Sequence, residues 1–158
     1  MFDLEGFIGG FTAEGALAKA GQGLLKSLED DATEKFLETL LYLMRIAFLV
    51  NPGYRRNIEN FTGLYRFKSQ DEGVNVLIKF ENGKMEISED PAPAAHVQVT
   101  FKNSKALRNF LLSFKKDILK LILNNEIRVT GNVNYLYKFI FMANHPIHSL
   151  LNLANKLP

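Results

Sequence analysis

The pattern of apolar and polar residues predicts one long helix before any strand. Its helical period runs from Asp31 to about Val50, with Glu34 three residues after Asp31 as in a capping box. Asn51-Pro52-Gly53 ends it, because proline and glycine interrupt a helical backbone. Apolar positions nearly encircle the second half of this helix, so we expect it to be buried on more than one side.

From Phe61 the hydrophobic period changes to two, the period of strands with one buried face. Asn82-Gly83 interrupts the alternation with the residues that a type I′ hairpin turn prefers, since both central positions need positive φ. We expect an antiparallel meander with one apolar and one polar face. The apolar members of the alternation are Tyr65, Phe67, Val74, Val76, Ile78, Phe80, Met85, Ile87, Val97, Val99 and Phe101.

The last third of the chain returns to a helical period. Ser104 and Asp117 stand where helix N-caps belong, each before a short amphipathic segment. Ile127–Thr130 predicts a fifth strand, and Gly131-Asn132 turns it directly into another helix. Pro146 suits the first turn of a separate final helix. The predicted fold is therefore α+β, with about five mainly antiparallel strands covered on one face by helices, and with an N-terminal helix.

Residues 1–30 differ from the rest, since they hold six of the 11 glycines. Backbone entropy at that density disfavours a stable helix. Phe2, Phe7 and Phe11 nevertheless need a surface to cover, so we expect an arm that lies on its own domain or on a neighbour. A membrane-touching anchor is the alternative, because an interfacial helix needs such an apolar face. The predicted division is a Gly-rich N-terminal arm over 1–30 and a single domain over 31–158.

Length and composition narrow the class of protein. With 158 residues, 47% of them hydrophobic and 23% charged, the chain suits one globular domain with a sizeable core. The absence of cysteine excludes disulfides, thiol nucleophiles and cysteine-ligated metals, and it fits a reducing, cytoplasmic environment. Met1–Glu5 lacks the positive charge of a secretory signal, and Leu40–Val50 is too short to span a membrane. The net charge of +2 implies no partner by itself.

Catalytic and metal-binding groups are hard to find in this sequence. His145 and His148 have an i, i+3 spacing that suits two metal ligands, but a catalytic zinc needs a third protein ligand. We expect these two to be exposed at a helix start, and His96 to be exposed at a strand start. No nucleophile elbow, P-loop or dinucleotide-binding fingerprint occurs. The sequence therefore predicts neither an enzyme, nor a bound metal, nor a cofactor.

Four short motifs occur in a particular order along the chain. They are Phe61–Phe67 at the start of the sheet, Asn82-Gly83-Lys84 at the hairpin, Ala95–Thr100 before the helix pair, and Ile127–Asn132 followed by Leu136 and Lys138. Their order and spacing resemble the sterol carrier protein 2 lipid-binding domain, most strongly over residues 60–144. That family usually has a glycine near the end of the first sheet-covering helix and another before the last strand. This chain has Phe114-Lys115-Lys116 and Asn124-Asn125-Glu126 there.

The resemblance implies an apolar tunnel between sheet and helices for a fatty acid, acyl-CoA, sterol or isoprenoid-like molecule. A lipid chain is held by burial of its methylene groups, so its site must be apolar. By their pattern alone the candidate residues favour a close-packed core, and the resemblance is what favours the tunnel. The predicted lining is Phe67, Val76, Ile78, Val99, Phe110, Leu111, Phe114, Ile118, Ile122, Val129, Leu136, Phe139, Ile140 and Met142.

Three lysines lie beside the implied mouth of this tunnel, namely Lys115, Lys116 and Lys120. They are candidates for binding the carboxylate or phosphate of a lipid head group. The alternative for each is an ordinary solvated helix face.

Two functions of different classes follow. The first is non-catalytic binding and transfer or presentation of a lipid. The second is a protein-interaction or scaffold module with a filled core and a docking N-terminal arm, marked by an exposed apolar patch. Nucleic-acid binding is disfavoured because Tyr65 and Phe67 lie on the sheet face that the helices must cover. The expected partners are a lipid or fatty-acyl ligand and a transient membrane or protein contact through the arm, and no nucleic acid.

Overall fold

The computed structural model describes residues 33–91, 94–112 and 117–156, and five single positions before them. The helices are α1 (Thr33–Val50), α2 (Pro52–Arg55), α3 (Ser104–Leu112), α4 (Ile118–Leu123) and α5 (Val133–Lys156). The strands are β1 (Gly63–Ser69), β2 (Asn75–Glu81), β3 (Lys84–Ser88), β4 (Val97–Phe101) and β5 (Ile127–Gly131). The α+β fold with five strands is confirmed, and the short helix α2 is added to the predicted elements.

The sheet has the strand order β3-β2-β1-β4-β5, which differs from the predicted meander at one pair. β4 does not pair with β3 but crosses to the free edge of β1 and runs parallel to it, so that Phe67 lies opposite Val99. The other three pairs are antiparallel, as predicted. The same alternation of apolar residues suits either neighbour and either direction, which is why the sequence pattern did not reveal this parallel pair.

One face of the sheet is covered by helices, and aromatic rings fill the middle of this interface. The rings of Phe67 and Phe139 are 4.8 Å apart between centroids, and those of Phe101 and Phe110 are 5.4 Å apart. Pairs of this geometry contribute about 0.5–1.5 kcal/mol each beyond the burial of their area. The contact between β1, β4, α3 and α5 is therefore an ordinary close-packed core.

Helix α1 is buried on more than one side, as its encircling apolar pattern predicts. Phe36, Leu40 and Met44 are fully buried, and the helix contacts α3, α5 and β3. It ends where the Asn51-Pro52-Gly53 breaker predicts. The same residues begin α2, because the Asn51 side chain accepts a hydrogen bond from the Tyr54 N–H at 3.1 Å and Pro52 occupies the first helical turn.

Helix α5 runs without a break through Pro146, so the prediction of a separate final helix is wrong. Proline lacks the N–H that would bond to the carbonyl four residues earlier, which belongs to Met142. The Tyr54 hydroxyl donates a hydrogen bond to that Met142 carbonyl at 2.5 Å. A side chain from α2 thus satisfies the acceptor that Pro146 leaves unbonded, and the helix continues.

Positive φ occurs at several places where the chain reverses direction. Asn82 and Gly83 have φ of 54° and 71°, which confirms the predicted type I′ hairpin. Asn125, at the place where the resembled family has a glycine, has φ of 58°, a conformation that asparagine tolerates. Gly131 has φ of 103°, and a Cβ there would lie 2.3 Å from the His96 carbonyl oxygen. Only glycine fits between β5 and the start of β4.

The five described positions within residues 1–30 are all helical and exposed: Gly15, Lys19, Gln22, Gly23 and Lys26. The prediction that glycine density prevents a helix is wrong at these positions. A Cβ on Gly23 would stand 3.8 Å from the Thr39 methyl group, so Gly23 lies beside α1. Packing against a neighbouring helix commonly overrides intrinsic helix propensity.

Candidate functional site

Twelve of the fourteen predicted lining residues come together in the layer between helices and sheet. Ten of them are buried and belong to one apolar cluster: Phe67, Ile78, Val99, Phe110, Leu111, Ile118, Leu136, Phe139, Ile140 and Met142. Val76 and Val129 are half-buried and pack against that cluster. Ile122 is 38% exposed on α4, and Phe114 lies outside the described residues.

In the middle of this layer aromatic rings of the sheet and of α5 pack against one another. Phe139 of α5 contacts the rings of both Phe67 and Tyr65, whose centroids are 4.8 and 5.7 Å from its own. The Tyr65 hydroxyl donates a hydrogen bond to the Tyr135 carbonyl at 2.8 Å, which fixes the ring beneath α5. At this point the structure matches the close-packed core that the apolar pattern favours.

Towards the β2–β3 hairpin the same layer opens into a cleft of about 320 Å³, which we call the hairpin cleft. It lies between α1 and the helix-covered face of the sheet. Its lining consists of Leu37, Glu38, Leu41, Tyr42, Gly73, Val74, Asn75, Val76, Ile87, Ser88 and Glu89. The aliphatic part of this lining consists of five side chains: Leu37, Leu41, Val74, Val76 and Ile87.

Sequence reasoning identified only Val76 among the residues of the hairpin cleft. Ile87 was on the apolar face of the predicted hairpin, and Leu37 and Leu41 lie one helical turn apart on α1. These signals were present in the periodicity. What the sequence did not show is that α1 approaches this edge of the sheet closely enough to form a wall but not closely enough to fill the space.

Polar groups gather at the mouth of the hairpin cleft. Glu38 and Glu89 are exposed there, and Tyr42 is half-buried. Burial raises the pKa of Tyr42, and the positive charge of Arg45 lowers it by less. Asn75 is held from the other face of the sheet, where its side-chain oxygen accepts a hydrogen bond from Arg66 at 2.7 Å.

A second cavity, of about 700 Å³, lies between α2 and α5, and we call it the α2–α5 cavity. It is lined by Asn51, Gly53, Tyr54, Asn57, Phe141, Asn144 and His145. The described residues of the predicted lining are absent from this set. Its polar groups serve the local structure, since Asn51 caps α2 and the Asn57 side chain donates to the Tyr54 carbonyl at 2.8 Å.

Two histidines, His96 and His145, have structural contacts in this fold, and the side chain of His148 lies outside the described part of the structure. His96 is exposed before β4, as predicted, and its Nδ1 accepts a hydrogen bond from the Leu64 N–H at 2.9 Å while its ring stacks on Tyr135. His145 is exposed but stands inside α5, not at a helix start, and its ring stacks on Tyr54. Over the described ranges no group of three or more histidine, aspartate or glutamate side chains could hold a metal ion.

The predicted head-group lysines are only partly described. Lys120 is exposed on α4, and its backbone N–H donates to the capping Asp117 side chain at 3.0 Å. It lines neither the hairpin cleft nor the α2–α5 cavity. Lys115 and Lys116 lie outside the described residues, so their role stays a prediction. Within the described part of the chain, the helices are too short or too polar to cross a membrane.

The fold defines an α+β domain in which helices cover one face of a mixed five-stranded sheet. The family model of the SCP-2 sterol transfer family matches residues 44–143, more than half of the sequence. The chain belongs to the SCP-2 sterol transfer family, which confirms the resemblance found from the sequence motifs. No curated protein sequence matches it.

Two solved structures illustrate the likeness of fold. A UbiJ-SCP2 ubiquinone synthesis protein has a TM-score of 0.51 and 18% identity, over 77% of this chain and 98% of that chain. The stereoselective inverting sec-alkylsulfatase Pisa1 from Pseudomonas sp. has a TM-score of 0.53 and 15% identity, over 66% of this chain but 16% of the sulfatase. At these identities the comparison concerns the fold alone.

Proposed function

We propose that the protein binds the hydrocarbon chain of a lipid between its helices and its sheet, and carries or presents that lipid without catalysis of its own. The observation that carries the proposal is the hairpin cleft, an apolar opening into the layer beneath α1. Membership of the SCP-2 sterol transfer family supports it. The ligand class is a fatty-acyl, sterol or isoprenoid-like lipid.

Burial of methylene groups supplies the free energy of binding in this proposal. Each CH₂ moved from water to an apolar wall contributes about 0.8 kcal/mol. The hairpin cleft, at about 320 Å³, is at the small end of the range of about 300–1,000 Å³ for ligand pockets, and it suits a single narrow chain. The chain enters over Val76 and points towards Ile78 and Phe67, which follow on the same face of the sheet. The buried residues of the predicted lining belong to the apolar cluster against which Val76 packs.

The proposed function includes a cytoplasmic location and does not include binding of nucleic acid. The cysteine-free sequence supports a cytoplasmic location, in which the lipid passes to a membrane or to an enzyme. Nucleic acid is not a proposed partner, since the rings of Tyr65 and Phe67 are buried beneath the helices and offer no stacking surface.

Native mass spectrometry of the purified protein, followed by lipid analysis of a solvent extract, tests this function. We expect either a co-purified lipid near one equivalent or uptake of one equivalent of added dodecan-1-ol. The Ile87→Trp variant fills the hairpin cleft with an indole ring, and we expect it to weaken uptake at least tenfold. Glu86→Trp is the matched control, because Glu86 is the neighbouring residue on the exposed face of β3 and should leave uptake unchanged.

An exposed apolar stripe on α5 favours a second candidate, the protein-interaction module. Val133, Tyr137 and Phe141 follow each other at intervals of four residues, and the last two are 52% and 67% exposed. Exposed apolar patches of this kind mark contact surfaces. The same mass spectra distinguish the candidates: a lipid-free protein that takes up no added dodecan-1-ol contradicts the carrier and favours the interaction module.

A further inference from the structure

The mouth of the hairpin cleft carries charge of one sign. Glu38 of α1 and Glu89, the residue after β3, both line it and both are exposed to solvent. The remaining polar side chains of the lining are the uncharged Tyr42, Asn75 and Ser88. Lysine, arginine and histidine are missing from these eleven described lining residues.

Two arginines near the hairpin cleft do not change this balance. Arg45, three residues after Tyr42 on α1, is not a lining residue, and its effect on the pKa of Tyr42 is smaller than that of burial. The Tyr42 phenol therefore stays protonated and adds no charge. Arg66 lies on the opposite face of the sheet, where it donates to Asn75 Oδ1 and to the Asp90 carbonyl, each at 2.7 Å.

We propose that the lipid bound in the hairpin cleft has an uncharged head group, a hydroxyl or a carbonyl, and that Glu38 and Glu89 disfavour carboxylate and phosphate head groups. This inference rests on the proposed lipid-binding function. Two carboxylates repel an anion beside them. An anion that loses water at the mouth also finds no cation among the described lining residues to replace its hydration. A hydroxyl or carbonyl group carries no net charge, so it is not repelled by the two carboxylates and does not lose the hydration of an ion.

The test compares dodecan-1-ol with dodecanoate, which have the same chain length and differ in the charge of the head group. At pH 7.5 and low ionic strength we expect the full-length protein to bind the alcohol more tightly. In the Glu38→Gln, Glu89→Gln double variant we expect dodecanoate to bind about fivefold more tightly than in the wild type, the size that two exposed charges give. The ratio of the two affinities should therefore shift towards dodecanoate in the double variant.

Glu59→Gln is the matched control, because Glu59 is an exposed glutamate beside the Gly83 turn at the far end of the same hairpin. It should change neither affinity. If the double variant binds dodecanoate no more tightly than the wild type does, the head-group inference is wrong. In that case, binding of dodecan-1-ol by the wild type still supports the carrier function. If the wild-type protein binds neither probe, the carrier function itself is wrong.

Discussion

The hairpin cleft and the α2–α5 cavity differ in what their walls are made of. The α2–α5 cavity is about 700 Å³ and the hairpin cleft about 320 Å³. Yet the larger space is lined by groups that hold α2 onto α5, above all the Tyr54 hydroxyl bonded to the Met142 carbonyl. The smaller space has aliphatic walls, such as Leu37, Leu41 and Ile87, and keeps its polar groups at the mouth.

This difference teaches that the volume of a cavity does not identify a binding site. A ligand that breaks the hydrogen bond of a buried polar group without replacing it costs about 1–3 kcal/mol. An aliphatic wall that faces open space has no such bond to lose and gains by contact with a hydrocarbon chain. By this criterion the smaller space is the better site for a lipid.

The largest effect is expected for Leu41→Ala, which enlarges the hairpin cleft. Leu41 is fully buried, so its truncation should lower the free energy of unfolding by about 2–5 kcal/mol in urea denaturation. Leu40→Ala should cost a similar amount, because Leu40 is also buried, but Leu40 does not line the hairpin cleft. Only Leu41→Ala should shift binding from dodecan-1-ol towards the longer hexadecan-1-ol. Equal shifts in both variants would place the chain elsewhere.

A smaller effect on stability is expected for Tyr54→Phe, at the contact between α2 and α5. Tyr54→Phe keeps the ring stacked between Phe48 and His145 but removes the donor to the Met142 carbonyl, so stability should fall by about 1–3 kcal/mol. Pro146→Ala supplies a backbone N–H to that carbonyl. We therefore expect Tyr54→Phe to cost less in the Pro146→Ala background.

Urea denaturation of the wild type, the two single variants and the double variant measures this coupling. Dodecan-1-ol affinity should stay the same in all four proteins, because the proposed lipid site is the hairpin cleft and not the α2–α5 cavity. An equal cost of Tyr54→Phe in both backgrounds would show that Tyr54 does not replace the bond lost at Pro146. A loss of alcohol binding would assign the ligand to the larger cavity.

The smallest effect is expected in the pH dependence of stability, which should differ between the hairpin cleft and the α2–α5 cavity. Asp71, in the turn next to the hairpin cleft, has a pKa lowered to about 2 by hydrogen bonds from the Ser69 hydroxyl and from the N–H groups of Ser104 and Gly73. Its contribution to stability is therefore complete above about pH 4 and is lost as the pH falls towards 2. The groups that hold α2 on α5 are a phenol and amides, which do not titrate there.

Asp71→Asn should lower the free energy of unfolding by under about 1 kcal/mol at pH 7, since Asp71 is exposed to solvent. The difference from the wild type should shrink as the pH falls through about 2, because the wild-type carboxyl itself becomes protonated over that range. Glu72→Gln, in the same turn, is the control and should show no such convergence. A constant difference between Asp71→Asn and the wild type across the whole pH range would contradict the assignment.

The sequence predicted features that depend on near neighbours in the chain. The strands followed from alternation, the hairpin from Asn82-Gly83, and the end of α1 from Asn51-Pro52-Gly53. The family followed from short motifs in the right order. Each of these features is determined by a few neighbouring residues, so hydrophobic periodicity and turn-forming residues are enough to predict it.

Features that depend on distant residues could not be predicted in this way. The carbonyl of Met142, which Pro146 leaves without its helical N–H donor, is bonded by Tyr54, 88 residues before Met142. The parallel pairing of β1 with β4 is equally invisible to alternation. The hairpin cleft exists because α1 stands off the β2–β3 edge, and Glu38 and Glu89 meet at its mouth although they are far apart in sequence.

The strand order also bears on how the chain reaches this structure. β2 and β3 are joined by a two-residue turn, and hairpins of this kind form within about 1–10 μs. β1 and β4 pair only after residues 70–96 have been closed into a loop, which costs chain entropy before any contact is gained. We therefore expect the β2–β3 wall of the hairpin cleft to form early in folding. We expect the middle of the sheet to set the rate of folding.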